Sequence, residues 1–191
     1  MSLFVAVRLP AVATSDLAVA QSALPPQLAA MHPELRWVPP QNWHLTVAFL
    51  GSVPERRRAD LTARLARAAA RYPPLSLRLS GAGHFGSRVL FVGVTGDVAP
   101  LRGLAASVSA AARRAKVPVD DRPYRPHLTL ARVRGTASLR DLADALAPYD
   151  GPTWTAAAVD LMESRPSAAP AHPPSYVSQA RFALGRAVDR P

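Results

Sequence analysis

Short apolar blocks and stretches of apolar–polar alternation fill most of the chain, and segments with helical spacing separate them. Blocks bounded by proline or glycine predict strands, whereas apolar positions three or four residues apart predict helices. Strands or extended segments are predicted over residues 2–9, 36–38, 43–50, 75–80, 89–94, 127–133, 154–162 and 176–184. Helices are predicted from about residue 14 to residue 24, over 55–71, over about 100–116, and after an N-cap at Ser138.

The order of these elements indicates the fold class. Helices are mixed with hairpin-like strands and do not alternate strictly with them, which predicts an α+β fold with antiparallel sheet. The chain has 191 residues and a mass of 20.3 kDa, and 49% of its residues are hydrophobic. That length fills one core well and is short for two independent cores. We therefore expect a single domain over residues 1–191, divided into two lobes.

Basic residues far outnumber acidic ones. The 23 Lys and Arg against 13 Asp and Glu give a formal charge of +10, and Lys116 is the only lysine. Such a field favours an anionic partner, nucleic acid first, although genomic base composition is an alternative source of the arginine bias. The arginines of the 55–71 helix are expected to form a solvated face, with an RNA-tracking surface as the alternative.

The sequence contains no cysteine, which excludes disulfides, Cys-ligated zinc and a thiol nucleophile. Its amino terminus lacks a basic segment followed by a long apolar one, and no apolar run approaches the ~18 residues of a membrane span. We expect a soluble, cytoplasmic protein that does not associate with membranes.

Two segments of the chain are nearly identical, HLTVA from His44 and HLTLA from His127. Each lies in a predicted strand after proline-containing chain, so the two halves look like copies of one structural unit. Residues two apart on a strand point to the same face, so His44 projects with Thr46 and His127 with Thr129. Packing of two such units about a pseudo-twofold axis would bring both pairs to one cleft.

Two imidazoles and two hydroxyls suit the hydrolysis of a phosphodiester. An unperturbed pKa of ~6.5 lets one imidazole accept a proton from water while the other protonates the departing oxygen. Threonine hydroxyls donate to non-bridging phosphate oxygens, and arginine neutralises their charge. A metal-centred hydrolase is disfavoured, because neither motif brings a carboxylate at useful spacing.

The paired His-x-Thr motifs, taken with the segments that flank them, resemble those of the 2H phosphoesterase superfamily. The resemblance narrows to its bacterial and archaeal RNA 2′,3′-cyclic phosphodiesterases, also named 2′-5′ RNA ligases, and it spans nearly the whole chain. The matching strings are LFVAV from Leu3, RWVP from Arg36, NWHLT from Asn42, FLG from Phe49, RPHLTLAR from Arg125, LMES from Leu161, and Tyr176.

The resemblance implies a bilobal α+β fold. Each of two pseudo-symmetric lobes would carry an antiparallel sheet and helices, with the active-site cleft between them, the first motif at residues 44–46 and the second at 127–129. It also implies hydrolysis of RNA 2′,3′-cyclic phosphate ends to a 2′-phosphate, without metal or cofactor. The expected partners are RNA ends or cyclic nucleotides, and the expected form is a monomer.

The resemblance also assigns roles to individual residues. The first-motif histidine of that family serves as general acid toward the 3′ oxygen and the second as general base toward water, roles that fall on His44 and His127. Thr46 and Thr129 then bind the phosphate. Arg132 matches a basic residue of the family implicated in phosphate contact.

Strand parity adds a condition to one of these roles. Arg132 lies five positions after the second histidine and would face away from it in an unbroken strand, so its role requires a bulge or a strand end. By the same parity Phe49 and Trp43 are expected in the core, with base stacking as the minor alternative. Tyr124 and Phe85 are looser candidates for stacking a base.

The remaining histidines and one proline-rich segment are expected at the surface. His32, His84 and His172 have no threonine two places on and are predicted to lie on the surface or in loops. Residues 165–174 are rich in proline and alanine and predict a surface loop. The resemblance does not define how this loop contributes to the rim of the site.

Two alternative functions stay open. The same two imidazoles would also serve 2′-5′ joining of RNA ends. The net charge alone would equally suit a basic RNA-binding module without catalysis.

Overall fold

The computed structural model describes residues 2–120, 122–133, 138–167 and 173–185. These residues form nine strands and five α-helices, which confirms the predicted α+β class. The strands are β1 (Ser2–Arg8), β2 (Leu35–Trp37), β3 (His44–Gly51), β4 (Leu75–Phe85), β5 (Val89–Gly96), β6 (His127–Val133), β7 (Asp150–Ala156), β8 (Ala158–Arg165) and β9 (Ser175–Ala183). The helices are α1 (Ala11–Ser22), α2 (Pro26–Ala30), α3 (Glu55–Ala69), α4 (Val98–Arg114) and α5 (Arg140–Leu146), with a 3₁₀ turn at Pro40–Asn42.

The strands form one antiparallel sheet with two halves. Its order is β7-β4-β5-β6-β3-β1-β8-β9, and β2 pairs with the carboxyl end of β6. The halves β7-β4-β5-β6 and β3-β1-β8-β9 meet where β3 pairs with β6, through the single register pair Leu45 and Leu128. Each half therefore ends in one motif strand, and the predicted two-lobed architecture joins its lobes at the motifs.

Helices cover one face of the sheet and bury the main core against it. Helices α3 and α4 pack against each other, α4 lies on β3, and α5 lies on β4. The helical spacing of the sequence identifies the buried positions, since Leu61 and Leu65 of α3 and Leu101 and Leu104 of α4 are all at most 1% exposed.

The other face of the sheet carries a smaller apolar cluster. Along β1, Val5 enters the main core, whereas its neighbours Phe4 and Ala6 point to the opposite face. There they pack with Met162 of β8 and, at its edge, Tyr176 of β9. This cluster lies beside the first motif strand, on the face of the sheet away from the helices.

The predicted strand over 154–162 is wrong, because two strands divide at Ala157. Strand β7 pairs with β4 in one half of the sheet, and β8 pairs with β1 in the other. The chain thus passes between halves within one residue, which requires the sheet to curl. Both flanking residues, Ala156 and Ala158, are buried, so hydropathy does not mark the break.

The predicted cap of α5 is also wrong. Leu139 occupies the N-cap position, and no side chain caps the helix. Leu139 is fully buried while Ser138 is exposed. Burial of an apolar side chain, and not a hydroxyl cap, therefore fixes the start of this helix.

The predicted loop over 165–174 is described only at its ends. Residues 168–172, including His172, lie outside the described residues. At the far end, the carbonyl oxygen of Pro174 accepts a hydrogen bond from Asn42 Nδ2 at 2.8 Å. Within the part of the chain that the structure describes, no helix is both long and apolar enough to cross a membrane.

Truncating Leu128 to alanine is expected to lower the free energy of unfolding by about 2–5 kcal/mol, because it opens a cavity under both motif strands. Leu128 and its partner Leu45 are fully buried at the joint between the halves. Chemical denaturation followed by circular dichroism measures the change. Val19→Ala, at a position 68% exposed, is the control and should shift stability by no more than about 0.5 kcal/mol. An equally small change for Leu128→Ala would contradict the assigned role of the joint.

Candidate active site

A cleft of about 720 Å³ opens where the two motif strands meet. His44, Thr46, His127 and Thr129 all line it, and each is partly exposed. The leucine between each His and Thr is fully buried on the opposite face. The two-residue spacing of the sequence therefore predicts the facing of all four polar side chains correctly.

Each imidazole is oriented by a backbone carbonyl two residues upstream. His44 Nδ1 lies 2.7 Å from the carbonyl oxygen of Asn42, and His127 Nδ1 lies 2.7 Å from that of Arg125. A carbonyl oxygen only accepts, so Nδ1 carries the hydrogen in both rings. In the neutral ring the lone pair is then at Nε2, the nitrogen left to take up or release a proton.

Aromatic side chains pack against both imidazoles. The first imidazole contacts Phe4 and Tyr176 with ring centroids 4.8 and 5.2 Å apart, and Tyr176 meets it edge-on at 90°. The second contacts Phe85 and Phe91 at 4.8 and 5.6 Å. Phe85 lines the cleft as well, but it stacks on Phe91 at 4.4 Å. These contacts restrict rotation of both rings and limit their access to water.

Arg132 reaches the cleft because β6 contains a β-bulge. Two consecutive residues of β5 pair with Ala131 and Thr129, which leaves Leu130 unpaired. Leu130 and Ala131 are both fully buried, so the in–out alternation reverses after them. The bulge that the sequence required for Arg132 is thus present, and its side chain is exposed in the cleft.

The first motif contains the same irregularity. Two consecutive residues of β1 pair with Ala48 and Thr46, which leaves Val47 unpaired. As a result Phe49 turns to the cleft and is 58% exposed, so its predicted core position is wrong. Trp43 precedes the bulge and is 5% exposed, which confirms its core position.

Burial and positive charge both act on the protonation of the two histidines. Burial lowers the pKa of His44 and of His127, and the carbonyl hydrogen bonds at Nδ1 partly oppose this. The guanidinium of Arg132 lowers both pKa values further, and the charged form of His127 also lowers that of His44. The guanidinium of Arg132 therefore favours the neutral form of both rings.

Asn42 joins the first motif to a distant part of the chain. Its carbonyl accepts the hydrogen bond from His44, and its side chain, 9% exposed, donates to Pro174. Sequence reasoning assigned no role to Asn42, although it opens the NWHLT string. The residue that plays its part at the second motif, Arg125, has an exposed side chain instead.

The segment between α4 and β6 forms a rim of the cleft that the sequence did not predict. Asp120, Arg122, Tyr124 and Arg125 from this segment line the cleft. Asp120 and Arg122 form an exposed ion pair. Tyr124 lines the cleft, and its ring is also packed against the main core, so its stacking of a base stays a prediction.

The histidines without a following threonine do not line the cleft, where the structure describes them. His32 lies in a loop, as predicted, but is buried, and His84 is exposed near the end of β4. Within residues 2–120, 122–133, 138–167 and 173–185, no group of three or more His, Asp or Glu side chains is arranged to hold a metal ion.

Comparison with known families and proteins identifies relatives of this chain. The family model described as the 2′-5′ RNA ligase superfamily matches residues 21–167. The chain is 36% identical over 123 residues to the RNA 2′,3′-cyclic phosphodiesterase of Geobacillus stearothermophilus, and this match covers 62% of the chain but only 39% of that relative. It is 35% identical over 145 residues to the RNA 2′,3′-cyclic phosphodiesterase of Thermus thermophilus, covering 72% of the chain and 71% of that relative.

A solved structure shows the same fold over almost the full length. The crystal structure of TT0787 of Thermus thermophilus matches with a TM-score of 0.75 and 31% sequence identity. The match covers 97% of this chain and 99% of that one, so both lobes and the joint between them are shared.

Replacing Arg132 by glutamine is expected to raise the pKa of both His44 and His127, because the guanidinium disfavours the imidazolium of each. NMR titration of the ring Cε1 protons measures both values. Arg36→Gln is the matched control, since Arg36 lies opposite Arg132 in the β2–β6 ladder but bonds to the Pro33 carbonyl and does not line the cleft. Unchanged pKa values in Arg132→Gln, or equal shifts in the control, would contradict this electrostatic coupling.

Proposed function

Because the chain belongs to the 2′-5′ RNA ligase superfamily, we propose that it hydrolyses the 2′,3′-cyclic phosphate at the end of an RNA and leaves the phosphate on the 2′ oxygen. The observation that carries this proposal is the pair of imidazoles in one cleft, each bonded at Nδ1 and open at Nε2. The relatives named RNA 2′,3′-cyclic phosphodiesterase support the substrate class.

In the proposed reaction His127 is the general base and His44 the general acid. His127 Nε2 takes a proton from water as the water oxygen bonds to phosphorus. The bond from phosphorus to O3′ breaks, and His44 Nε2 gives its proton to O3′. One water is consumed, and the products are a 2′-phosphomonoester and a free 3′-hydroxyl. Each positioned proton transfer contributes ~10²–10⁴-fold to the rate.

Thr46, Thr129 and Arg132 stabilise the charge that the phosphate carries through the reaction. The two hydroxyls donate hydrogen bonds to the non-bridging oxygens, and the guanidinium supplies positive charge. Hydrogen bonds of this charged kind contribute about 1.5–3 kcal/mol each. The scheme requires no metal ion, because the imidazoles carry both proton transfers and the arginine balances the charge.

The net positive charge of the protein supports an RNA chain, and not only a cyclic mononucleotide, as the substrate. A formal charge of +10 attracts a polyanion, and Arg125 at the rim extends positive charge beyond the reacting phosphate. Since one chain carries both motifs, we propose that residues 1–191 form a single catalytic unit that works as a monomer.

A second reaction is favoured by the description of the matching family, 2′-5′ RNA ligase. If the 5′-hydroxyl of another RNA replaces water, the same acid and base steps form a 2′-5′ phosphodiester and release the same O3′. Assaying hydrolysis and joining on one set of RNA ends separates the two reactions.

Replacing either His44 or His127 by alanine is expected to lower the hydrolysis rate by at least ~100-fold, because each removes one proton transfer. The substrate is an RNA with a 2′,3′-cyclic phosphate end, assayed with a chelator present, and chromatography distinguishes 2′- from 3′-phosphate products. His84→Ala, at an exposed position outside the cleft, is the control and should keep the wild-type rate. A 3′-phosphate product, full activity in either cleft variant, or a requirement for divalent metal would contradict the mechanism.

The pH dependence of kcat/KM is expected to be a bell whose two limbs lie below ~6.5, the unperturbed pKa of histidine. Activity is lost as pH falls through the pKa of His127, which then cannot act as base, and as pH rises through that of His44, which then cannot act as acid. Both limbs shift downward because burial lowers both pKa values. Initial rates at low substrate concentration over a pH series measure the profile, and a maximum above pH ~7 is the outcome that this assignment forbids.

A further inference from the structure

Positive charge is concentrated on two neighbouring helices. Helices α3 and α4, together with Lys116 just after α4, carry nine of the 23 Lys and Arg but only two of the 13 Asp and Glu. These elements therefore hold a formal charge of +7 out of the +10 of the chain. Both acids, Glu55 and Asp60, form ion pairs with arginines of α3. The two helices pack against each other, so their exposed cations contribute to one positive surface.

The cleft reaches this surface at the carboxyl-terminal half of α4. Ser109 of α4 lines the cleft, and so does Val119 of the segment that follows the helix. Arg113 is exposed and lies one helical turn after Ser109, on the same face of α4. Lys116, also exposed, precedes Val119 by three residues, which span at most about 11 Å of extended chain. The cations at the end of α4 therefore begin next to the wall of the cleft.

Lys116 has a backbone conformation that glycine usually supplies. Its φ is +57°, and among the residues that the structure describes it is the only non-glycine residue with a positive φ. Its N–H donates to the carbonyl of Arg113 at 2.8 Å, and the N–H of Val117 donates to that of Ala112 at 2.9 Å. These bonds end α4 in the geometry that favours glycine at this position. The only lysine of the chain thus stands where it costs stability, which is typical of residues that serve a function.

Arg57 of α3 joins Lys116 to the second helix. Its guanidinium donates a hydrogen bond to the carbonyl oxygen of Lys116, so the start of α3 lies beside the end of α4. We call Arg57, Arg113 and Lys116 the basic ridge. It runs from the wall of the cleft to the start of α3.

We propose that the basic ridge binds the phosphates of the RNA strand that leads up to the reacting terminal nucleotide, an inference that rests on the proposed function. The reacting phosphate lies at the end of a strand, so the preceding phosphates leave the cleft, and the ridge begins where α4 lines it. Guanidinium and ammonium groups both bind phosphate oxygens. Contacts of this kind go to the RNA backbone, so the ridge binds strands of any sequence.

The burial of the helices favours RNA over a membrane surface as the partner of the ridge. The apolar faces of α3 and α4 are buried in the main core and cannot insert into a bilayer. The ridge therefore offers charge without an apolar anchor, which suits a polyanion that stays in water.

Replacing Lys116 by glycine is expected to raise KM about three- to tenfold for an RNA of about 20 nucleotides with a 2′,3′-cyclic phosphate end, because one phosphate contact is lost. For adenosine 2′,3′-cyclic phosphate, which carries no preceding phosphate, kcat/KM should stay unchanged. The same variant should raise the midpoint of thermal unfolding, because glycine adopts the positive φ without strain. Lys116→Arg keeps the charge and should keep the wild-type KM for the RNA.

The salt dependence of RNA binding counts the contacts. Fluorescence anisotropy with an RNA that ends in a 2′-phosphate measures the dissociation constant without turnover. The slope of its logarithm against that of salt concentration should fall by ~0.7 in Lys116→Gly and by twice as much when Arg57→Gln is added. Glutamine keeps an N–H donor for the Lys116 carbonyl. Arg140→Gln removes one charge from an exposed position of α5, in the other half of the sheet, and is the matched control with an unchanged slope.

An unchanged RNA affinity in Lys116→Gly would overturn the proposal. An equal loss in Arg140→Gln would overturn it too, because net charge alone would then attract the RNA. Binding of the wild type to phosphatidylglycerol vesicles but not to the RNA would assign the ridge to a membrane surface and contradict the proposal as well.

Failure of the proposed function is distinguishable from failure of the ridge. If the wild type opens neither cyclic substrate, the proposed hydrolysis is wrong, and the anisotropy measurement still tests the ridge because it needs no turnover. Weaker RNA binding in Lys116→Gly than in the wild type then supports the ridge. Equal dissociation constants, or no RNA binding by either protein, contradict it.

Discussion

The hydrogen bond from each imidazole Nδ1 to a backbone carbonyl two residues upstream is the interaction on which the site depends. His44 and His127 are the first residues of β3 and β6, so the orientation of each ring is set by the backbone at the start of a strand. The fold then needs only to hold two strand starts side by side, which the buried pair Leu45 and Leu128 does. In both rings the hydrogen bond at Nδ1 is made to the backbone and not to a carboxylate, and it leaves the lone pair of the neutral ring at Nε2.

The backbones of the two motifs are nearly equivalent, but a few of their side chains differ and make the two sides of the cleft chemically distinct. The carbonyl that holds His44 belongs to Asn42, which is tied to Pro174, whereas the one that holds His127 belongs to Arg125, whose side chain is exposed. The same bulge presents a phenylalanine on one side and an arginine on the other. In the proposed mechanism, two copies of one unit therefore carry opposite steps of a proton-transfer reaction.

Most of the strands and helices, and the facing of the four motif side chains, could be predicted from the sequence because each follows from local periodicity. Helix α2 was not predicted, since Pro25 and Pro26 were interpreted as the end of the preceding helix. From the sequence, a bulge could be inferred only indirectly, because Arg132 reaches the site only if its strand is irregular. The unpaired residues themselves, Val47 and Leu130, are apolar and fit a regular strand equally well. A usable signal was the run of consecutive apolar residues after each threonine, which strict alternation does not produce. The position of Phe49 was predicted wrongly because regular pleating was assumed. The unpaired residue Val47 places its side chain in the cleft and not in the core.

Long-range features left no local pattern in the sequence. The break at Ala157 depends on which strands flank the chain on either side, and both flanking alanines are equally buried. The contact of Tyr176 with His44 depends on β9 reaching the first motif strand across β8 and β1. Such contacts are determined by the tertiary arrangement of the sheet.

The central claim is that the Nε2 atoms of His44 and His127 face one phosphate. Long-range proton–nitrogen NMR of the histidine rings, recorded during titration with adenosine 2′-monophosphate, tests it most directly. The proposed mechanism predicts that both Nε2 resonances shift together and saturate at the same ligand concentration, while both Nδ1 atoms stay protonated. A response confined to one of the two rings, or absent from both, would contradict it.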